Sequence, residues 1–359
     1  MFHVRFRNVV ALTVVLACAM SFAVNDASAQ DSLRLIRSIK LPHATSRLDH
    51  MTLDPKRQRL FISALGAFTM DVIDLQRGTV VHRIEQLNQP QQPVYIPSMD
   101  TVVVSCSGSG TCQFFNAETF NLTQTAAARP GADDLRYHEP TGRLYLAYSN
   151  GVCAIDAKTG KMLNVVKFQE HPEAFEIEAT GQRMFVNLPL ASVVVVVNCE
   201  TMEEIARWPL GDSHGNTAMA LDEANHRLFL ATRGYSQLLV LNTDTGTVIT
   251  TLRMMDHCDD LFYDATSRRI FASCGAGTID VFEQKDADTY ALADRVPTSP
   301  GAGTSLLAPH LRRLFVAVPA QALEDAELRE YEVFTPASAP TQPPATQPAG
   351  GKETQSGTE

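Results

Sequence analysis

Arg227-Leu228-Phe229-Leu230 recurs in variant form along the chain. The copies are Arg59-Leu60-Phe61-Ile62, Arg143-Leu144-Tyr145-Leu146, Arg183-Met184-Phe185-Val186, Arg269-Ile270-Phe271-Ala272 and Arg313-Leu314-Phe315-Val316. Thr101-Val102-Val103-Val104 is a degenerate member of the set. The second residues of the seven copies are spaced by 42, 42, 40, 44, 42 and 44 positions. A fixed period of this length marks a repeat architecture, in which one small unit buries its apolar faces only against its neighbours.

Working outward from Arg227 reveals the unit. Residues 217–222 form a short apolar-rich run that ends at a turn, Glu223-Ala224-Asn225. The quoted phrase follows, then 237–242, a turn at Asp244-Thr245-Gly246, and 248–253. Short β-branched and aromatic runs between Gly, Asn and Asp clusters are hairpin strands. The turn after the third strand has the form Asp/Asn-x-x-x-Gly, also at Asp74 to Gly78 and Asp156 to Gly160. Four strands in about 42 residues is the pattern of a propeller blade. The expected fold is all-β, a seven-bladed β-propeller of four-stranded antiparallel blades over 30–334. The seventh repeat lacks a fourth strand, while 33–41 has strand character and no blade of its own. This N-terminal segment is therefore expected to pair with 328–334 and close the ring.

The flanks read differently. Arg5 and Arg7 precede an apolar stretch, 9–24, and Ala27-Ser28-Ala29 offers a small-x-small cleavage pattern. Residues 1–29 thus read as a signal peptide, with a periplasmic or secreted mature protein. The alternative is a lipobox ending at Cys18, with a lipid anchor there. No later run is long enough to span a bilayer. Residues 335–359, rich in Pro, Thr, Gln, Ala and Gly, read as a disordered tail.

The 359 residues carry 30 Lys and Arg against 40 Asp and Glu, a formal charge of −10. So acidic a chain is ill-suited to holding nucleic acid by phosphate neutralisation. There is no Cys-x-x-Cys-His, which speaks against c-type haem. The only tryptophan is Trp208, so the docking tryptophans of a PQQ-type quinone-cofactor propeller are missing.

Residues just before each first strand surround one mouth of a propeller's channel. At that position the repeats place Asp49-His50, Gln91-Gln92, Asp133-Asp134, Glu173-Ala174, Thr217-Ala218, Asp259-Asp260 and Gly303-Thr304. Asp49, His50, Asp133, Asp134, Glu173, Asp259, Asp260 and Thr304 are the ligand-binding candidates. His171, His214 and His257 lie slightly upstream and are the candidate extra metal ligands. Carboxylates and imidazoles together suit a divalent cation or a polar ligand; strand starts at a wet channel mouth are also polar without any ligand. Gathered carboxylates are expected to have raised pKa values unless a cation neutralises them. Export favours disulfides, and the expected bridges are Cys106–Cys112 and Cys258–Cys274, with Cys153 and Cys199 as buried thiols.

The chain resembles the bacterial YncE-like, YVTN-type seven-bladed β-propellers over roughly 33–334. The likeness rests on the repeated phrases and on His171-Pro172-Glu173-Ala174-Phe175, Met219-Ala220-Leu221-Asp222-Glu223, Asp259-Asp260-Leu261-Phe262-Tyr263-Asp264 and Gly301-Ala302-Gly303-Thr304-Ser305-Leu306. The resemblance implies a periplasmic binding or scaffold protein, and the expected function is a non-catalytic binding module that takes a small ligand or a protein. DNA binding associated with that family is at odds with this chain's acidity. The alternatives are a metal-dependent hydrolase or lactonase with its site in the channel mouth, and a protein-interaction platform.

Overall fold

The computed structural model describes residues 32–42, 44, 47–321 and 324–334. The expected leader at 1–29, with Cys18, and the tail at 335–359 lie outside them. Seven four-stranded antiparallel sheets follow one another as blades, at 51–84, 90–127, 135–167, 175–209, 216–253, 258–297 and 305–333. In blades 1–6 the four strands run inner to outer in chain order. Blade 7 has three such strands, and its outermost is the N-terminal Leu33–Lys40. That strand pairs antiparallel with Glu327–Val333, from Leu33 opposite Val333 to Lys40 opposite Glu327. The ring is closed as the missing fourth strand predicts.

The repeated phrase explains the ring residue by residue. Adjacent residues of a strand face opposite sides of a sheet. Leu60, Leu144, Leu228 and Leu314 accordingly pack toward the preceding blade, in four different clusters. The aromatics one step on, Phe61, Tyr145, Phe229 and Phe315, pack toward the following blade. Seven apolar clusters result, one between each pair of neighbouring blades. Each of these aromatics is 0% exposed, and burying such a ring stabilises by about 1.5–3 kcal/mol.

The arginine of the phrase bridges blades by a different route. Arg59 donates to Ala117 O at 3.3 Å, Arg143 to Cys199 O at 3.3 Å, Arg183 to Thr243 O at 2.8 Å and Arg269 to Phe334 O at 2.8 Å. Each acceptor immediately follows the third strand of the next blade. Arg227 reaches the same region, donating to Ala287 O at 3.0 Å and pairing with Asp288. Thr101, at the degenerate copy, is too short to reach.

The Asp/Asn-x-x-x-Gly turns form as read. Gly78, Gly160 and Gly246 donate their N–H to Asp74, Asp156 and Asn242 O, each at 2.8 Å. At Gly246 the left-handed φ of +76° is combined with close packing: a Cβ there would fall 2.1 Å from Trp208 Cγ.

One expected disulfide is corrected. Cys106 lies opposite Thr111, and Cys112 opposite Ser105. The two thiols thus project from opposite faces of blade 2, Cys106 toward blade 1 and Cys112 toward blade 3. A hairpin whose register puts the two cysteines one step apart cannot bridge them. Cys258 and Cys274, by contrast, are directly opposed and share one face. Both are thiols in this structure, as are the other four described cysteines.

Candidate functional site

Two overlapping cavities open at one end of the channel. The inner, of about 320 Å³, is lined by residues of all seven blades or of the segments leading into them. It takes in all eight ligand-binding candidates: Asp49, His50, Asp133, Asp134, Glu173, Asp259, Asp260 and Thr304. An outer vestibule of about 410 Å³ adds His171 and His257. His214 is not among the lining residues; its Nδ1 lies 3.1 Å from Asp212 O and its ring meets Tyr235 edge-on at 5.1 Å.

The local cause of this convergence is the start of the first strand. Asp49, Asp133 and Glu173 donate their N–H groups to Ser63, Ala147 and Asn187 O on the second strand of the same blade. Ser63, Ala147 and Asn187 donate back to His50, Asp134 and Ala174 O, so two residues oppose one at each site and both line the cavity. Polar side chains on second strands lock neighbouring blades together at this level. Ser105 Oγ donates to Asp133 O at 2.5 Å, Asn187 Nδ2 to Thr217 O at 2.6 Å, and Ser273 Oγ to Ser305 Oγ at 2.7 Å.

The lining carries both signs of charge. Seven carboxylates (Asp49, Asp133, Asp134, Glu173, Glu176, Asp259, Asp260) accompany three guanidiniums (Arg47, Arg136, Arg233) and the His50 imidazole. Glu176 and the arginines were not among the residues picked from the sequence. Arg136 had a readable signal, since it lies two residues beyond Asp134 and shares its side of the strand. Glu176 lies at the equivalent place in blade 4. Arg47 and Arg233 come from connecting segments, where no strand parity applies.

His50 is the centre of the charge network. Its Nδ1 lies 3.2 Å from Asp260 Oδ1, and its Nε2 lies 3.5 Å from Asp49 Oδ1. Asp260 also accepts the Ser305 N–H at 2.7 Å. Burial by itself would lower the imidazole's pKa, but Asp260, Asp49 and Asp134 outweigh it and push the value up to about 10. Asp49 is 1% exposed. Burial raises its carboxyl to about 6, against the opposing pull of His50 and Arg47.

The carboxylates beyond this centre, Glu173 excepted, each meet a cation of the chain. Arg233 holds Asp259 at 2.6 Å, and His171 Nε2 lies 3.0 Å from Asp133 Oδ2. Arg136 lies 2.8 Å from Asp134 and 3.8 Å from Glu176. Burial raises Asp134 despite Arg136, and raises Glu176 to about 7. Burial first, and then the Asp133 charge, raise Glu173. The pKa elevation expected from mutual repulsion is thus present at several groups, with desolvation as its main cause.

A Cβ on Gly303 would lie 2.6 Å from Asp259 Oδ2. The bare backbone there is what lets the Asp259 carboxylate lie across to blade 7.

Among the described residues, no group of three or more His, Cys, Asp or Glu side chains is arranged to hold a metal ion. The carboxylates that come closest to such a role are instead engaged by Arg233, Arg136, His171 and His50. No helix among the described residues is long and apolar enough to cross a membrane.

Comparison with known proteins adds the fold. No protein-family profile matches the chain. None of the curated proteins matches its sequence. Among solved structures, it is similar to a chain in the crystal structure of a mitotic checkpoint complex, with a TM-score of 0.69 and 13% identity, over 91% of this chain and 99% of that one. At that identity the likeness is one of architecture: a seven-bladed β-propeller.

Proposed function

We propose that this protein is a non-catalytic binding module whose ligand enters the channel mouth. The observation that carries this reading is the enclosure of charged side chains from all round the ring in one cavity of about 320 Å³. Such a volume is at the small end of small-molecule sites, which span about 300–1,000 Å³. The chemistry of the cavity favours holding over turnover. An imidazolium with a carboxylate at each ring nitrogen has no free position from which to take a proton.

The reading extends to place and kinship. A signal peptide at 1–29 and a periplasmic or secreted site of action, the Cys258–Cys274 bridge, and membership of the YncE-like group form one consistent proposal, since exported propellers of that kind serve as binding or scaffold proteins.

Glu176 favours a second reading. A carboxyl raised to about 7 by burial is poised as a general base, which is what a hydrolase with its site in the channel would need. A third reading, a protein-interaction platform, draws on Leu190 and Tyr235, 86% and 60% exposed on loops of adjacent blades, and on the solved neighbour being part of a protein complex.

The deciding experiment is a thermal-shift screen of charged and polar small molecules against the wild type and Leu306→Trp, which fills the inner cavity. A ligand bound at a hundred times its Kd stabilises the fold by about 2.7 kcal/mol. Compounds that raise the wild-type midpoint and not that of the filled variant support the channel site. A screen in which every shift survives the substitution overturns it.

A further inference from the structure

We infer that a ridge over blades 4 and 5, beside the channel mouth, is a docking surface for a protein segment that carries an apolar side chain next to a basic one. The inference rests on the reading of the protein as an interaction platform and needs no ligand in the channel. Its starting point is where apolar surface is left open. Among the described residues, Leu190, at 86%, and Tyr235, at 60%, are the most exposed large apolar side chains. The others, Phe68 apart, sit on the outermost strands of their blades, where single exposed apolar residues are ordinary. Leu190 and Tyr235 stand instead on the loops that join the second and third strands of blades 4 and 5.

The two loops belong to one surface. The connection 210–215 runs between them and is tied to both. The Leu210 N–H donates to Ser192 O at 3.1 Å, and the Arg233 and Gly234 N–H groups donate to Gly215 and His214 O at 2.9 and 3.1 Å. Both anchors are fixed before any partner arrives. Glu170 accepts the Leu190 and Ala191 N–H groups at 2.6 and 2.8 Å. The His214 ring meets Tyr235 edge-on at 5.1 Å. It lies over the bare backbone of Gly234, where a Cβ would fall 2.4 Å from the imidazole. Groups already ordered lose less freedom on association, so apolar anchors held this way bind more tightly.

The chemistry of the partner follows from the charges beside the anchors. In 168–174, 189–192, 210–215, 233–236 and 254–257 the one lysine or arginine is Arg233, and it is bound to Asp259. Glu170, Asp212 and Asp256 stand in the same segments, and Asp256 has a histidine beside it, His257 at 3.7 Å. A second copy of the chain would set this acidic surface against itself. The chain's own residues 335–359 have no aromatic or large aliphatic side chain to place against Leu190 and Tyr235. A partner with a basic side chain beside an apolar one meets both the charge and the exposed apolar surface.

The test is selection of short random peptides displayed on phage against the full mature chain. The selected peptides are then titrated against wild type, Leu190→Ser, Tyr235→Ser, Leu122→Ser and Leu306→Trp. Leu122, an exposed apolar residue on an outermost strand, is the control for the surface, and Leu306→Trp is the control for the channel. The expected result is enrichment of peptides that pair a lysine or arginine with a large apolar residue. They should bind Leu190→Ser and Tyr235→Ser at least tenfold more weakly than wild type, and the two controls as tightly as wild type. If the enriched peptides are acidic or wholly apolar, and the two serine variants weaken them, the platform stands and the basic partner is overturned. A dimer in analytical ultracentrifugation that Leu190→Ser dissociates assigns the ridge to a second copy and overturns it equally. No enrichment, or peptides that bind both serine variants as tightly as wild type, overturns the ridge and the platform reading together.

Discussion

Arg37, on the N-terminal strand, donates to the carbonyl of Leu75 in blade 1. Leu75 immediately follows the third strand of its blade, the same place that Ala117, Cys199, Thr243 and Phe334 hold in theirs. The donor in those cases is the arginine of the repeated phrase. In blade 7 that arginine, Arg313, turns instead to Glu330 at 3.0 Å, and Glu330 also receives Arg37 at 2.6 Å. The closing strand thus supplies a substitute for the repeat's own link as well as a fourth strand.

Removing that substitute should weaken the ring at its seam. Arg37→Ala takes away a charged donor to a carbonyl and one of the two cations on Glu330, a loss of about 1.5–3 kcal/mol on the scale of hydrogen bonds to charged groups. Arg183→Ala, which breaks the link to Thr243 and the pair with Glu178, should cost a similar amount. Equilibrium denaturation in urea measures both. Values within 0.5 kcal/mol of wild type, about the size of an ordinary surface substitution, would show that these arginines merely lie on the ring without holding it.

Gly246 and Trp208 give an optical probe of a single turn. Gly246→Ala puts a methyl group into the indole, at a residue whose φ of +76° already disfavours a side chain. Trp208 is 9% exposed and is the only tryptophan. Its emission should shift to longer wavelength in Gly246→Ala, with a lower melting midpoint. An unchanged spectrum would mean the packing of turn and indole is loose.

Alkaline stability should depend on His50. Its folded-state pKa is raised from 6.5 to about 10, so the folded protein keeps the imidazolium proton longer than the unfolded chain does. The stabilisation is complete below about pH 6.5 and is lost as pH rises through 10. Asp49, raised from 3.8 to about 6, also gives up stability as pH rises, in the lower window between those values. Melting midpoints from pH 7 to 10 should fall more steeply for wild type than for His50→Gln. Parallel profiles would remove His50 from the linkage.

Thiol chemistry should separate the two cysteine pairs. The Gly275 N–H donates to His257 O, which places the Cys258–Cys274 pair at a non-hydrogen-bonded site of the ladder. Cα atoms there are about 4.5 Å apart, within disulfide range. Refolding with oxidised glutathione should link Cys258 to Cys274, with two equivalents of glutathione thiol released. Cys106 and Cys112 should remain alkylatable after unfolding without reductant. Peptide mapping under non-reducing conditions reads both, and a recovered Cys106–Cys112 peptide would contradict the register of that hairpin.

The fold was legible because one phrase encodes three contacts. Arg, Leu and Phe at consecutive positions point to the next blade's turn, the preceding blade and the following blade, so their recurrence already describes a ring. The site was legible only where it repeats. Asp133-Asp134 and Asp259-Asp260 appear at equivalent places, and period-two alternation extends the reading to Arg136 and Glu176. Arg233 was hidden because it stands in a connecting turn, and its partner Asp259 is 26 residues away. His214 misled for the converse reason: it sits near the right place in the repeat, but its ring turns toward Tyr235. The failed Cys106–Cys112 bridge shows how a single step of register decides which face of a sheet a thiol occupies.

The closure has a consequence for the order of assembly. The strand Leu33–Lys40 is made before any of the blades, yet its partner ends at Val333. Pairs such as Arg34 with Glu332 are separated by 298 positions. Each of blades 1–6 can form its hairpins as it emerges, from neighbours only a few tens of residues apart. The final pairing waits for the whole ring, and contacts of such long range are slow to form. Until then both partner strands carry an open edge that another chain can add to. Dilute refolding should therefore show a late step specific to blade 7, and crowded refolding should lose material at that same step.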